Sequence, residues 1–226
     1  MKYFLFILMV LALIEGRSQD LILASGTNST SYDYKNSLGQ TNENIDGSSG
    51  TFYEIVYLAP LGLNGRLNYI LGAALNEYNA EGGTIESVYT WETSYMGFKG
   101  GITYDIFTTD SGFKTTFVFA LQTSFIVDGN QRINGASFDL TKEDEFKGIF
   151  IQPITGLDIS YPVSDKLTLG LGYNYSKISK IGNKTEEALN FSNHQWQIRL
   201  QFSLKKKPDN FSANASNSKK KASRPK

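Results

Sequence analysis

Residues 192–204 alternate almost without interruption. Trp196, Ile198, Leu200, Phe202 and Leu204 share one parity, and Gln195, Gln197, Arg199, Gln201 and Ser203 share the other. Successive strand residues point to opposite faces, so this run reads as a strand with one apolar and one polar face. About eight runs of this character lie along the chain, at 21–34, 51–60, 66–79, 89–107, 113–127, 148–161, 167–178 and 192–204, separated by clusters of Gly, Asn, Asp and Ser. In the fifth run Thr115, Phe117, Phe119, Leu121 and Phe125 oppose Lys114, Thr116, Ala120, Gln122 and Ser124. In the seventh, Leu167, Leu169, Leu171, Tyr173 and Tyr175 oppose Thr168, Gly170, Gly172, Asn174 and Ser176. The fourth changes parity near Thr93 and Ser94, which predicts a bulge or bend there.

The links between runs alternate in length. Those at 60–65, 108–112 and 162–166 are short, whereas those at 35–50, 80–88, 128–147 and 179–191 are long and polar. In an up-and-down barrel every second connection lies at the same end, so the short turns share one rim and the long loops the other. Outer-membrane barrels have this asymmetry, with short periplasmic turns and longer extracellular loops.

Two architectures fit the alternation. A soluble, lipocalin-like barrel binding an apolar ligand would turn the apolar parity inward, and a membrane barrel would turn it toward lipid. The chain holds 13 Tyr and 15 Phe, and an eight-stranded barrel is only just wide enough inside for side chains to fill. The aromatic parity therefore fits the outside better. The expected fold is all-β, an eight-stranded antiparallel up-and-down transmembrane β-barrel. Phe117, Phe119, Leu169, Leu171, Trp196, Ile198, Leu200 and Phe202 are expected to face lipid. Glu54, Lys99, Asp158 and Arg199 fall on the inward parity, where an unpaired charge is costly, and are expected to form a polar network in the lumen. The glycines at 72, 156, 170 and 172 share that parity and would make room for long partners.

Charge and composition divide the chain further. Lys2 followed by the apolar stretch Phe4–Ile14 has the form of a signal peptide, too short for a membrane-spanning helix. Residues 1–18 are expected to be removed, leaving Gln19 first. Between Asp20 and Leu204 there are 12 basic and 20 acidic residues, and from Lys205 to Lys226 there are 8 basic and one acidic. The barrel should span 19–204. The tail 205–226, with Phe211 as its only large apolar residue, is expected to be a disordered, solubilising basic segment in the periplasm, with electrostatic attachment to an anionic periplasmic partner or membrane surface as its functional reading. The absence of cysteine excludes disulfide staples, thiolate metal sites and a lipidated N-terminus.

Little in the chain suggests catalysis. His194, the one histidine, lies on the apolar parity near the expected start of the last strand and reads as an interfacial residue rather than a base. No phosphate-cradling loop, dinucleotide fingerprint or metal-binding His cluster is found, so no cofactor, metal or catalytic residue is expected. The charge run Lys142, Glu143, Asp144, Glu145 and Lys147 reads first as a solvated loop and second as a contact for a divalent cation or a lipopolysaccharide headgroup.

The signal peptide, the alternating strands, the phrase Tyr161-Pro-Val-Ser-Asp-Lys-Leu-Thr-Leu-Gly-Leu-Gly-Tyr173 and the final aromatic strand together resemble the small outer-membrane barrels of Gram-negative bacteria, in particular the PorT-like outer-membrane barrel domain family. The resemblance covers about residues 19–204. It implies residence in the cell outer membrane, contact with its lipid and lipopolysaccharide, and insertion by the barrel-assembly machinery, with Phe202 as the terminal aromatic. Here Phe202 is followed by Ser203, Leu204 and the basic tail. The family shares an architecture and not one activity. A structural or surface-interaction role without catalysis is expected, with a narrow porin-like channel as the alternative and no nucleic-acid partner.

Overall fold

The structure is a computed structural model and describes residues 19–35, 45–62, 65–84, 87–181 and 188–204. The signal segment 1–18 and the tail 205–226 lie outside the described residues. Ten strands are formed: β1 (Asp20–Lys35), β2 (Ile45–Pro60), β3 (Leu67–Glu77), β4 (Asn79–Thr84), β5 (Ser87–Thr108), β6 (Lys114–Ile133), β7 (Ala136–Asp139), β8 (Phe150–Pro162), β9 (Leu167–Lys180) and β10 (Ala188–Ser203). β3 and β4 are one barrel strand interrupted at Tyr78, since both pair with β2 on one side and β5 on the other. β7 pairs only with β6, as a small hairpin at the rim turned by Asn134 and Gly135, both at positive φ. Eight staves remain, each antiparallel to its sequence neighbour. β1 and β10 close the ring along their whole length, from Asp20↔Ser203 to Lys35↔Ala188. Closure of the eight staves removes the sheet edges in the barrel wall, which is what lets strands cross hydrocarbon with their backbone groups satisfied.

The aromatic parity faces outward. Phe119, Leu171, Trp196 and Ile198 are each more than half exposed on the outer surface, and Phe117, Leu169, Leu200 and Phe202 lie beside them. Tyr104 and Tyr161 border this band toward the short turns, and Tyr173, Tyr175 and Trp196 border it toward the long loops, in the manner of interfacial girdles. The soluble, lipocalin-like alternative required these side chains inside and is overturned.

The loop assignments need correction. The segment 80–88 is not a long loop, because β4 runs to Thr84 and β5 starts at Ser87. Likewise β2 begins at Ile45, β6 runs on to Ile133 and β10 begins at Ala188, all inside segments read as loops. His194 is consequently well inside its strand and not at its start. The physical reason is that the hydrogen-bonded ladder continues past the membrane surface, where the outward side chains become polar and the expected alternation disappears. β5 also keeps its parity across Thr93 and Ser94: Trp91, Thr93, Tyr95 and Lys99 are all buried on one face, and the parity shifts later, at a bulge on Ile106, where Ile106 and Phe107 are both exposed. The irregularity near Ser94 is an extra residue on β6, where the register steps from Asp128 to Ile126.

Along β10 the inward residues are Leu189 and Phe191, then Asn193, Gln195 and Gln197; the outward ones are Asn190 and Ser192, then Trp196, Ile198 and Leu200. The polarity of both faces inverts within one strand. Below the inversion the barrel is apolar outside and polar inside, and above it the sense is that of a water-soluble domain.

Candidate functional site: the layered lumen

At the long-loop end the interior is an aromatic plug. Tyr78, Tyr95, Phe150 and Phe191 are almost completely buried, with ring centroids of Tyr78 and Phe191 4.9 Å apart and those of Tyr95 and Phe150 5.3 Å apart. Trp91 meets Phe146 edge-on at 5.2 Å, and such edge contacts add to the burial itself. Phe146 and Leu140 reach the plug from the segment after β7, whose short 3-10 turn (Leu140–Lys142) is capped by Asp139. The Lys180 ammonium donates to the Asp144 carbonyl and ties that segment to β9.

Beneath the plug lies a layer of amides. Gln122 Nε2 donates to Gln152 Oε1 at 3.0 Å, Gln152 Nε2 donates to Ser176 Oγ at 2.8 Å, and the Tyr78 hydroxyl donates to Gln152 Oε1 at 3.2 Å, joining plug and layer. Across the barrel Asn193 Nδ2 donates to Asn28 Oδ1 at 3.0 Å, and Asn174 Nδ2 donates to Gln195 Oε1 at 3.0 Å. Each of these buried side chains finds a partner, although Asn174 Oδ1 and Asn193 Oδ1 are left open.

The four charges singled out from the sequence come next. Lys99 Nζ pairs with Glu54 Oε2 at 2.5 Å, both side chains being more than nine-tenths buried. Arg199 pairs with Asp158, whose Oδ1 also accepts from Gln197 Nε2 at 2.9 Å. Ile22, Val56, Ile70, Val118, Ala120 and Ile154 pack around them and keep their surroundings of low dielectric. Gly172 makes the crossing feasible: a Cβ there would stand 2.1 Å from Asp158 Oδ1 and 2.4 Å from Gln197 Nε2.

Below the ion pairs the lumen opens into a polar vestibule of about 370 Å³ at the short-turn end. Asp105 accepts from Lys114 Nζ at 3.0 Å and from Thr116 Oγ1 at 2.8 Å, and Asp20 Oδ2 accepts from Gln201 Nε2 at 2.7 Å.

Other sequence candidates lie away from the lumen. His194 Nδ1 and the Tyr173 hydroxyl are 2.6 Å apart on the outer surface beside Tyr175. Both lysines of the charge run after β7 are paired locally, Lys142 with Asp139 at 3.1 Å and Lys147 with Asp144 at 3.3 Å. Among the described residues no group of His, Cys, Asp and Glu is arranged to hold a metal. The plug and the vestibule were missed from sequence. Only the shared parity of Leu189 and Phe191 with Gln195 and Gln197 could have signalled the plug.

Fold and lumen together define an eight-stranded antiparallel β-barrel of the membrane-spanning kind. No family model and no curated protein matches the chain. Among solved structures it is similar to Neisserial surface protein A (16% identity over 82% of this chain and 99% of that one, TM-score 0.47). It is also similar to the outer membrane protein OprG from Pseudomonas aeruginosa (10% identity, 82% and 97% covered, TM-score 0.46) and to Ail, the attachment invasion locus protein of Yersinia pestis (9% identity, 81% and 98% covered, TM-score 0.42). The likeness concerns the fold.

Proposed function

We propose that this chain is an outer-membrane β-barrel of a Gram-negative cell, with a structural or surface-interaction role and no catalytic activity. The polarity inversion along β10 carries the reading. It divides the barrel into a lipid-embedded part, apolar outside from Trp196 to Phe202, and a water-facing part closed inside by Leu189 and Phe191. An aromatic plug offers a hydrated solute no replacement for its water shell, which argues against the porin-like alternative. The short turns and both ends of the barrel chain belong to the periplasmic side, and the plugged end to the cell surface.

The remaining partners follow from this placement. Lys177 is exposed two residues beyond Tyr175 on the outer face, at the level suited to lipopolysaccharide phosphates. β10, with Phe202 as its last aromatic, would be the strand read by the insertion machinery, and the phrase Tyr161–Tyr173 supports a PorT-like assignment. Planar-bilayer recording tests the central claim. The purified barrel should insert without stable conductance steps, and a steady, salt-proportional conductance would refute a closed lumen.

A further inference from the structure

The vestibule carries an uncompensated charge. Three carboxylates line it, those of Asp20, Asp105 and Asp158, against two cations, Lys114 and Arg199. Lys114 neutralises Asp105 and Arg199 neutralises Asp158. Asp20 is left with an amide donor alone: Oδ2 accepts from Gln201 Nε2 at 2.7 Å, while Oδ1 has no partner although the residue is only 8% exposed. A carboxylate so deeply buried and only half satisfied calls for a cationic donor. Strand register makes the surroundings of Asp20 two-sided. On β10, Ser203 lies directly opposite it, with Gln201 the next inward residue, so this side supplies oxygens. On β2, Leu58 lies directly opposite it, with Pro60 two residues on, so the other side supplies carbon. All four residues line the vestibule.

We propose that this corner of the vestibule binds a small primary alkylammonium ion, its head on Asp20, Ser203 and Gln201 and its chain against Leu58 and Pro60. A primary ammonium carries three donors and no acceptor. Those three donors match the open carboxylate oxygen, the Ser203 hydroxyl and Gln201 Oε1, the acceptor of the amide that already holds Asp20. Its single positive charge brings the lining to neutrality. Its carbon chain covers the leucine and proline, a gain that a hydrated inorganic ion does not make. Calcium takes about six to eight oxygen ligands, more than this corner offers, and among the described residues no group of His, Cys, Asp and Glu is arranged to hold a metal. The cavity of about 370 Å³ leaves room for an amine of a few carbons and its water. The site does not depend on the orientation of the barrel: the placement of the short turns in the periplasm decides only which compartment supplies the amine.

Full-length protein folded in detergent micelles is titrated with n-butylammonium at constant ionic strength, and the side-chain amide of Gln201 is followed by NMR. That signal should move along a saturating curve. Two further compounds separate the two halves of the site without any variant. Tetramethylammonium keeps the charge and lacks N–H donors, and n-butanol keeps the chain and lacks the charge; each should bind at least about tenfold more weakly, the ratio one charge-assisted hydrogen bond supplies. Asp20→Asn, which removes the charge and keeps the shape, should weaken butylammonium by a similar factor. Ser203→Ala, which removes one hydroxyl at the rim, should weaken it about threefold. Equal responses to butylammonium and tetramethylammonium overturn the proposal, since the attraction is then diffuse. So does an affinity unchanged by Asp20→Asn, and so does a response centred on Asp105 and Lys114 with Gln201 unmoved. If Asp20→Asn fails to fold, Ser203→Ala and the three-compound comparison decide the matter in the parent fold.

Discussion

Three arginine substitutions on one strand test whether the polarity inversion marks the membrane surface. Asn190, Leu200 and Phe191 all lie on β10, the first two facing outward and the third buried in the plug at 1% exposure. Asn190→Arg sits opposite Asp33 of β1. In water an exposed substitution of this kind changes stability by less than about 0.5 kcal/mol, and a cross-strand charge pair returns a few tenths. Leu200 lies between Ile198 and Phe202 in the middle of the apolar band, where an arginine costs about 2–4 kcal/mol. That corresponds to a folding constant lowered roughly 30-fold to 1,000-fold. Phe191→Arg loses about 3–5 kcal/mol of aromatic packing before the buried charge is counted. It also leaves Tyr32, Tyr78 and Phe150 facing a cation. Urea titration of the barrel folded into phospholipid vesicles, followed by Trp fluorescence and heat-modifiable gel mobility, gives the three free energies. The expected order is Asn190, then Leu200, then Phe191, with a gap of at least about 1.5 kcal/mol between the first two. Equal costs for Asn190→Arg and Leu200→Arg would refute the idea that the strand passes from lipid into water between these two positions.

Arg199→Leu strands Asp158 in the lumen and should cost about 3–5 kcal/mol, whereas the double change Arg199→Leu with Asp158→Leu should recover most of it; a double-mutant cycle in the same titration reads the coupling, and additive costs would dissolve the pair. Gly172→Val drives a side chain into Asp158 and Gln197, so a loss of about 1–3 kcal/mol and a lower Tm are expected, while an unchanged Tm would deny that the crossing is tight. An epitope fused after Lys226 should stay shielded on intact cells and become labelled once the outer membrane is permeabilised, while protease added outside cuts near Arg132 or Lys142; labelling of intact cells would reverse the topology. Hydrogen bonds from Thr141, followed by the Lys142 ammonium, hold the Asp139 carboxyl below its usual value of 3.8. Because the folded-state value is the lower one, the turn it caps is supported above pH 3.8 and loosens as pH falls through the depressed value; a Thr141 amide shift titrating at or above 3.8 would contradict this.

What could be read in the sequence was the part of the barrel in lipid. There one solvent lies outside and another environment inside, so Trp196 through Phe202 alternate cleanly and the outward parity is unambiguous. The inward parity of Glu54, Lys99, Asp158 and Arg199 was equally legible, since a charge has no place on the lipid side. Which charge meets which was not. Lys99 and Glu54 are 45 residues apart and meet across β3, a consequence of barrel diameter and register that no local pattern encodes. The plug escaped for a different reason. Leu140, Phe146 and Leu189 come from stretches rich in Asn, Gly, Glu and Ser, and composition alone made those stretches loops, while Tyr78 and Trp91 stand near the ends of runs read as strands, where no local signal marked them as core.

Those stretches obey the rule that built the membrane part, applied to a different solvent. A strand keeps its ladder across the interface, because backbone groups must be paired on both sides, but water replaces hydrocarbon around it. The outward residues Asn190 and Ser192 can then be polar, and the inward ones must supply a core of their own. Leu189 and Phe191 do so with Tyr78 and Phe150, none more than 2% exposed. Within the lipid part the constraint is opposite: the exterior is apolar whatever happens inside, so the interior is free to be stabilised by hydrogen bonds and ion pairs. The boundary is therefore bound to carry groups compatible with both regimes. The Tyr78 hydroxyl fills that role, its ring stacked among the plug aromatics and its oxygen donating to Gln152 of the amide layer. Tyr78→Phe keeps the ring and removes the donor, leaving Gln152 Oε1 with Gln122 alone, and should cost about 0.5–1.5 kcal/mol. Tyr78→Ala removes both and should cost about 3–5 kcal/mol. If the two variants were equally destabilised, the joint between plug and network would rest on the hydroxyl and not on aromatic packing, and the core assigned to the water-facing part would fail.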